Sequence, residues 1–392
     1  MARRALIGTL LTALATAGLA AILAGPAAGD RPRPPERVFD RSAGTGTLAA
    51  RFDQVLAEAG RQAAGARPFW VGYAVDRLTG ENSHVGSYSG DRWTGEPSIA
   101  DILAGKTRAE AGMAGAGTVR EAASAALDRL DRPDRPEKKV VKPLGLFLRY
   151  GDGKSPSPVK VRMSDLDLSL DFEAAPLYWL GKATDVESLA LIEGLYGRGR
   201  GHEVREDLLA AAGCHGAPRL VLPFLGKILT GDDPDELRKD AAFWIGQQND
   251  AAGLALLSKA ARTDRSEEVR EGAVFGISQV ELPAAADEII ALARGADKHD
   301  VRKQAVFWLG QMAVRKSGQT LEGIAAGDAD LAIQEQAVFA LSELPDGQGV
   351  EALIRLAKTH RDARIRKKAV FWLGETDDPR ALEALVAIVK GK

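Results

Sequence analysis

Val301–Gln311 reads VRKQAVFWLGQ, and the chain returns to this pattern at a fixed interval. Copies begin at Phe172, Val204, Leu237, Val269, Val301, Ile333 and Ile365, spaced by 32, 33, 32, 32, 32 and 32 residues. At 100° per residue, Val301, Ala305, Trp308 and Leu309 fall on one side of a helix and form the expected core stripe. Lys303, Phe307, Gly310, Gln311 and, at the edge, Gln304 fall on the other. The segment before each copy is periodic too. Leu257, Ile289, Leu321, Leu353 and Leu385 are equivalent, as are Ala260, Leu292, Ile324, Leu356 and Ile388. Each unit is therefore two short helices. Such a pair cannot bury its apolar face alone, whereas stacked pairs share a continuous core. The expected fold class is mainly α, with a C-terminal α-solenoid of about seven helix pairs over residues 166–392. The polar side of each motif helix is expected to line its inner surface.

The columns of the alignment carry more detail. The tryptophan column runs Trp179, Ala211, Trp244, Gly276, Trp308, Ala340, Trp372, alternating large and small. Close packing predicts that each indole is received by a small residue in the neighbouring repeat. The column Glu206, Lys239, Glu271, Lys303, Glu335, Lys367 predicts a ladder of opposite charges, and with it a true unit of two repeats. Arg205, Arg238, Arg270, Arg302 and Arg366, with Gln334 the exception, are expected to bond acids or carbonyls of the loops. The aromatic column is Tyr178, Ala210, Phe243, Phe275, Phe307, Phe339, Phe371, followed at the helix ends by Gln247, Gln279, Gln311, Glu343 and Glu375. Two readings stay open for it. Each ring leans on the next repeat, or Phe243, Phe275, Phe307, Phe339 and Phe371 with Gln247, Gln279 and Gln311 form a groove for a partner.

An acidic loop followed by V-R-x-x-A-x-x-x-L-G resembles the second helix of a HEAT repeat, of the short kind also found in phycobilin lyase subunits. The resemblance spans about 220 residues from Leu170 onward. It implies a solenoid and, as for most HEAT arrays, a protein-binding role. It also implies an alternative, a bilin-lyase-like modification enzyme or chaperone. A third option has the N-terminal domain bind a ligand that the solenoid displays. Pro379–Lys392 supplies one more first helix, expected to cap the array.

The N-terminal third lacks the repeat. RPRPPERVFDRSAGTG, within residues 30–47, reads as a flexible Pro-rich linker. Residues 48–165 read as a small α+β or β-rich domain, with a helix at Leu48–Gln62 and strands at Phe69–Val75 and Val140–Tyr150. A further helix is expected at Val119–Leu130 and a charged loop at Arg132–Lys139. AGKT at Ala104–Thr107 lacks the first glycine of a phosphate loop, since Ala100 stands there. Gly112, Gly115 and Gly117 have no preceding strand and no acid at the distance a dinucleotide site needs. SDLDLSLD places Asp165, Asp167, Ser169 and Asp171 at alternate positions, but Leu170 and Pro176 stand where a calcium loop needs Gly and Glu. A strand with one acidic face is expected there.

MARR followed by Ala5–Gly25 and PAAGD reads as a secretory signal peptide over residues 1–29, and so as an exported, periplasmic or secreted chain. Membrane attachment is expected only if this segment stays as an uncleaved anchor. Cys214 is the only cysteine, which rules out an intramolecular disulfide, and with His215 alone beside it no metal set is completed. A net charge of -2 argues against nucleic acid as a partner. With no converging acid, base, nucleophile or metal ligands, no catalytic residue and no cofactor are expected. The expectation is a monomeric, non-catalytic scaffold for a protein or peptide.

Overall fold

The computed structural model describes residues 32–62, 67–81, 83, 85–86, 96–106, 110, 138–151, 155, 157–199, 201–312 and 317–390. They divide into two compact units at Leu220–Val221.

The first unit is built on a five-stranded sheet. Its strands are β1 (Val38–Asp40), β2 (Phe69–Gly80), β3 (Lys139–Tyr150), β4 (Lys160–Asp165) and β5 (Leu177–Lys182), ordered β1-β5-β2-β3-β4. β5 runs parallel to both β1 and β2, and β2–β3 and β3–β4 are antiparallel. Period-two side-chain alternation puts Phe69, Val71 and Tyr73 on one face, Trp70 on the other. The Trp70 face buries Ile99, Phe147, Leu170, Phe172, Ala175 and Leu177, and Trp70 Nε1 donates to the Phe172 carbonyl at 2.9 Å. Phe147 lies across two glycines: a Cβ on Gly72 or Gly145 would sit 2.7 Å or 2.5 Å from its ring. Helix α1 (Leu48–Gln62) buries Leu48, Phe52, Val55 and Ala59, spaced three and four apart as a helix stripe requires. Helix α2 (Ile99–Leu103) is a single capped turn, with Ser98 and Asp101 forming a capping box.

Three expectations for this region are corrected. The copy assigned to Phe172 is no helix, because Tyr178 and Trp179 stand in β5. Pro176 would fall inside that helix, where it removes a hydrogen bond and clashes with the preceding turn, while β1 and β2 offer ladders on both sides. The solenoid helices accordingly begin after residue 182. The expected flexible linker contains β1, and the carbonyls of Arg33 and Arg37 accept hydrogen bonds from Phe172 and Leu177. In SDLDLSLD the strand ends at Asp165. Of the alternating Leu166, Leu168 and Leu170, the last two are buried and Leu166 is half-buried, and Leu166 and Leu168 give their carbonyls to Ala100 and Ile99 instead of a strand. The expected helix at Val119–Leu130 and the glycines at 112, 115 and 117 lie outside the described residues, as does most of the charged loop.

The same unit carries α3 (Asp185–Arg198) and α4 (His202–Gly213). α5 (Pro218–Thr230) then leads into the second unit, whose described elements are all helices. Its motif helices are α6 (Asp235–Gln247), α8 (Glu267–Ser278), α10 (His299–Gln311), α12 (Leu331–Glu343) and α14 (Ala363–Gly374). Between and after them come the first helices α7 (Ala251–Thr263), α9 (Pro283–Gly295), α11 (Ser317–Gly327), α13 (Val350–Thr359) and α15 (Pro379–Val389). Asp250, Asp330, Asp362 and Asp378 cap helix starts by accepting from a backbone N–H of the first turn. Each of α7, α9, α11 and α13 packs most extensively on the motif helix that follows it, and the motif helices pack in a row. Val301, Ala305 and Leu309 are buried as the stripe predicts.

Candidate functional site

The row of motif helices is assembled from two kinds of contact. α6 and α8 meet backbone to backbone. A Cβ on Gly246 would lie 2.4 Å from the Gly276 carbonyl oxygen, and one on Gly276 2.7 Å from the Ala242 oxygen. α10 and α12 repeat this, since a Cβ on Gly310 would lie 2.8 Å from that of Ala340. Between these pairs the spacing is set by rings. Phe275 of α8 stacks on Trp308 of α10 with centroids 4.9 Å apart, and Phe339 of α12 meets Trp372 of α14 at 5.1 Å. This corrects the expected packing of the tryptophan column. Gly276 and Ala340 are small because the backbone of the preceding helix presses on them, and the indoles of Trp308 and Trp372 lie on the phenylalanine of the preceding repeat. Trp308 is therefore half-buried, and Gly310, expected on the open side, is buried.

Ion pairs and loop bonds lock the same row. Arg238, fully buried, donates to the Leu229 carbonyl at 3.1 Å and to Asp235, and also binds Asp264 of the next loop. Arg302 binds Asp328 in the same way, Arg270 reaches Asp300 at 2.7 Å, and Gln334 donates to the Asp328 carbonyl. Arg366 donates to the carbonyls of His360 and Arg361, and Arg205 lies over the Tyr196 ring at 4.3 Å. The charge ladder is corrected in register. Lys239 pairs with Glu268 rather than Glu271, and Glu335 with Lys368 rather than Lys367. Exposed pairs of this kind contribute about 0–1 kcal/mol each.

On this frame the candidate residues stand as follows. Phe243, Phe275, Phe307 and Phe339 are half-buried, and Phe371 is 56% exposed. Phe243 stacks on Phe275 at 5.9 Å, while Phe307 and Phe371 pack edge-on against Trp308 and Trp372 of their own helices. Gln247 is exposed, and Gln279 and Gln311 are half-buried, with the Gln279 amide donating to Ser278 Oγ at 3.1 Å. Phe243, Phe275 and Phe339 thus bridge neighbouring repeats, whereas Phe307 and Phe371 rest on the indole of their own helix.

Residues 222–310 and 318–392 match the family model of HEAT repeats. The matched stretches begin within α5 and take in all the motif helices of the second unit. No curated protein matches the chain. Among solved structures, human deoxyhypusine hydroxylase in complex with glycerol aligns at 17% identity with a TM-score of 0.24, over 51% of this chain and 77% of its own. The complex of CpcE and CpcF of phycocyanin lyase from Nostoc sp. aligns at 17% identity and a TM-score of 0.27, over 52% and 81%. A condensin subcomplex from S. pombe aligns at 18% identity and a TM-score of 0.30, over 52% of this chain and 30% of its own. At these TM-scores the likenesses carry no information about activity.

Outside the HEAT match, the first unit holds a buried polar chain that sequence spacing gave no reason to suspect. Ser188 of α3 sits 2.9 Å from both Tyr73 of β2 and the His215 Nε2, and all three are buried. His215 Nδ1 lies 2.9 Å from the Ala211 carbonyl, so it is the protonated nitrogen and Nε2 accepts from Ser188. Burial holds the His215 pKa below the ordinary imidazole range. Ser188 is fully buried, so a substrate has no path to its oxygen. Burial pushes the thiol of nearby Cys214 up to about 11, away from the thiolate form. Burial also pushes Asp207 of α4 up to about 7, with Arg162 of β4 opposing from 3.7 Å. Among the described residues no three His, Cys, Asp or Glu side chains are grouped to hold a metal ion.

Proposed function

We propose that the HEAT array is a binding scaffold whose motif-helix face takes a protein or peptide partner. The observation that supports this is the row Phe243, Phe275, Phe307 and Phe339, each half-buried, followed along their helices by Gln247, Gln279 and Gln311. Half-open rings offer apolar contact at little entropy cost, and amides both donate to and accept from an extended backbone. The ionisable groups that burial perturbs most, Asp207, Tyr73 and Tyr150, belong to the first unit and are buried. In this reading the scaffold acts as a monomer, without a cofactor, and in an exported setting. The support for export is the basic MARR start, the apolar run after it and the small residues of PAAGD.

The test is site-specific photocrosslinking of the full chain in its native cells. A photoreactive residue replaces Gln247 or Gln311, and in a control Lys259 on a first helix. The expected result is a discrete protein adduct from the two glutamine sites and none from the control. Equal labelling at all three sites, or none at any, overturns the proposal.

A further inference from the structure

Arg262 and Arg294 hold the same position in successive first helices, α7 and α9, but their partners differ. Arg262 forms an ion pair with Glu288 of the following first helix, and Ser258 Oγ donates to the same carboxylate at 2.5 Å. One repeat on, Thr320 of α11 stands at the position of Glu288. Arg294 Nη2 therefore donates to a neutral hydroxyl, at 3.1 Å, and no acid pairs with it among the described residues.

The motif helix between them, α10, has lost an acid as well. Arg238 is saturated: its Nε donates to the Leu229 carbonyl, and its outer nitrogens bind Asp235 and Asp264. The equivalent Arg302, two repeats on, binds Asp328, but His299 stands in place of Asp235 and pairs instead with Asp330 at 3.1 Å. Arg302 Nε is buried and has no hydrogen-bond partner among the described residues. Buried donors are normally satisfied.

Arg294, Arg302, Thr320 and Asp328 line one cavity of about 510 Å³ over the C-terminal half of α11. Gly323 and Gly327 open it. They stand where α7 carries Lys259 and Thr263, and a Cβ on either would meet nothing within 4 Å, so packing does not require them. The result is that the Arg302 side chain is 21% exposed, against 1% for Arg238. Thr320 is itself buried, which fixes its hydroxyl in the cavity wall.

We propose that this cavity binds a phosphate group, held by Arg294, Arg302 and the Thr320 hydroxyl. Two guanidiniums face a single carboxylate, Asp328, which leaves a positive charge for a ligand to neutralise. A phosphate monoester carries a charge of about −1.5 to −2 and three acceptor oxygens. Arginine meets such oxygens with a rigid planar fork of N–H donors. A carboxylate, with two oxygens, would leave one of the three donor groups unused. None of the aromatic or amide residues of the motif-helix row lines this cavity, so the proposal stands whether or not that row binds a partner.

The test is phosphorus NMR of inorganic phosphate titrated with the full chain, line broadening being the measure of binding. Saturable binding is expected, weakened at least tenfold by Arg294→Gln, a change at an exposed side chain that leaves the fold intact. Thr320→Glu restores the acid of the Glu288 position, so it should abolish binding while the melting temperature holds or rises. Arg262→Gln, at the closed counterpart, should change affinity less than twofold, and acetate should compete at least tenfold more weakly than phosphate. The tripeptide Ala-phosphoserine-Ala distinguishes the sources of the group. Tighter binding than free phosphate assigns it to a modified protein, and equal or weaker binding to a small phosphate compound. Absence of saturable broadening, broadening that survives both Arg294→Gln and Thr320→Glu, or acetate binding as tightly as phosphate overturns the proposal.

Discussion

The backbone of Gly276 lies so close to Gly246 that a Cβ on Gly246 would stand 2.4 Å from the Gly276 carbonyl oxygen. This contact, repeated by Gly310 and Ala340, explains why the tryptophan of the motif is absent from alternate copies. Restoring it by Gly276→Trp should push α8 off α6 and cost about 3 kcal/mol or more, as overpacking a tight contact does. Gly276→Ala should cost less, since it adds one carbon. Urea denaturation of both variants measures this, and wild-type stability in Gly276→Trp would show that the backbone contact does not set the alternation.

Where helices are held apart by rings, the energy should lie in the pair. Phe275 and Trp308 stack at 4.9 Å. A double-mutant cycle with Phe275→Ala and Trp308→Ala should give a coupling of about 0.5–1.5 kcal/mol. The distant pair Phe275 and Trp372 should give none.

Arg238 tests the loop-locking role. It is buried and bonds a carbonyl and two aspartates. Arg238→Ala leaves Asp264 buried without its cation and should cost roughly 3–5 kcal/mol. Arg238→Lys should recover only part of this, because an ammonium cannot reproduce the planar fork.

Ser188→Ala removes the bridge between Tyr73 and His215 and should cost about 1–3 kcal/mol by leaving two buried polar groups unpaired. The same site predicts a pH trend. The folded His215 pKa lies below the unfolded value near 6.5, so the unfolded chain binds more protons as pH falls through that range. Stability contributed by His215 is therefore present above about pH 6.5 and is lost on acidification. A His215→Gln variant should show a flatter melting profile between pH 7 and pH 5.

Asp207 has the opposite sign. Its folded pKa is raised to about 7, so the native state binds the extra proton and stability falls as pH rises from about 4 to 7. Asp207→Asn should melt higher than the parent at pH 8.5 and lose that advantage near pH 4.5. A constant difference across the range would show that Asp207 titrates normally.

The repeat was legible because solenoid packing is periodic along the chain. Val269, Val301 and Ile333 recur at the interval at which helices stack, so the apolar stripe and the Arg238, Arg270 and Arg302 column could be read without coordinates. The alternation of Trp308 with Gly276 and Ala340 was legible as well, though its cause was not. A small residue is called for equally by an indole or by a backbone, and which one arrives depends on the interhelical distance. The Phe172 copy misled for a related reason. Tyr178 and Trp179 satisfy the motif locally, but Pro176 and the neighbouring strands decide the conformation.

The sequence by itself determined the two-helix unit, its 32-residue period and the pairing of unlike copies, because these follow from side-chain size and helical periodicity. Only the tertiary structure decided which contacts are backbone on backbone and which are ring on ring. It alone brought Ser188, Tyr73 and His215 together, and it alone set Arg294, Arg302 and Thr320 around one cavity. Those outcomes depend on distances between segments far apart in the chain, which no local pattern of residues encodes.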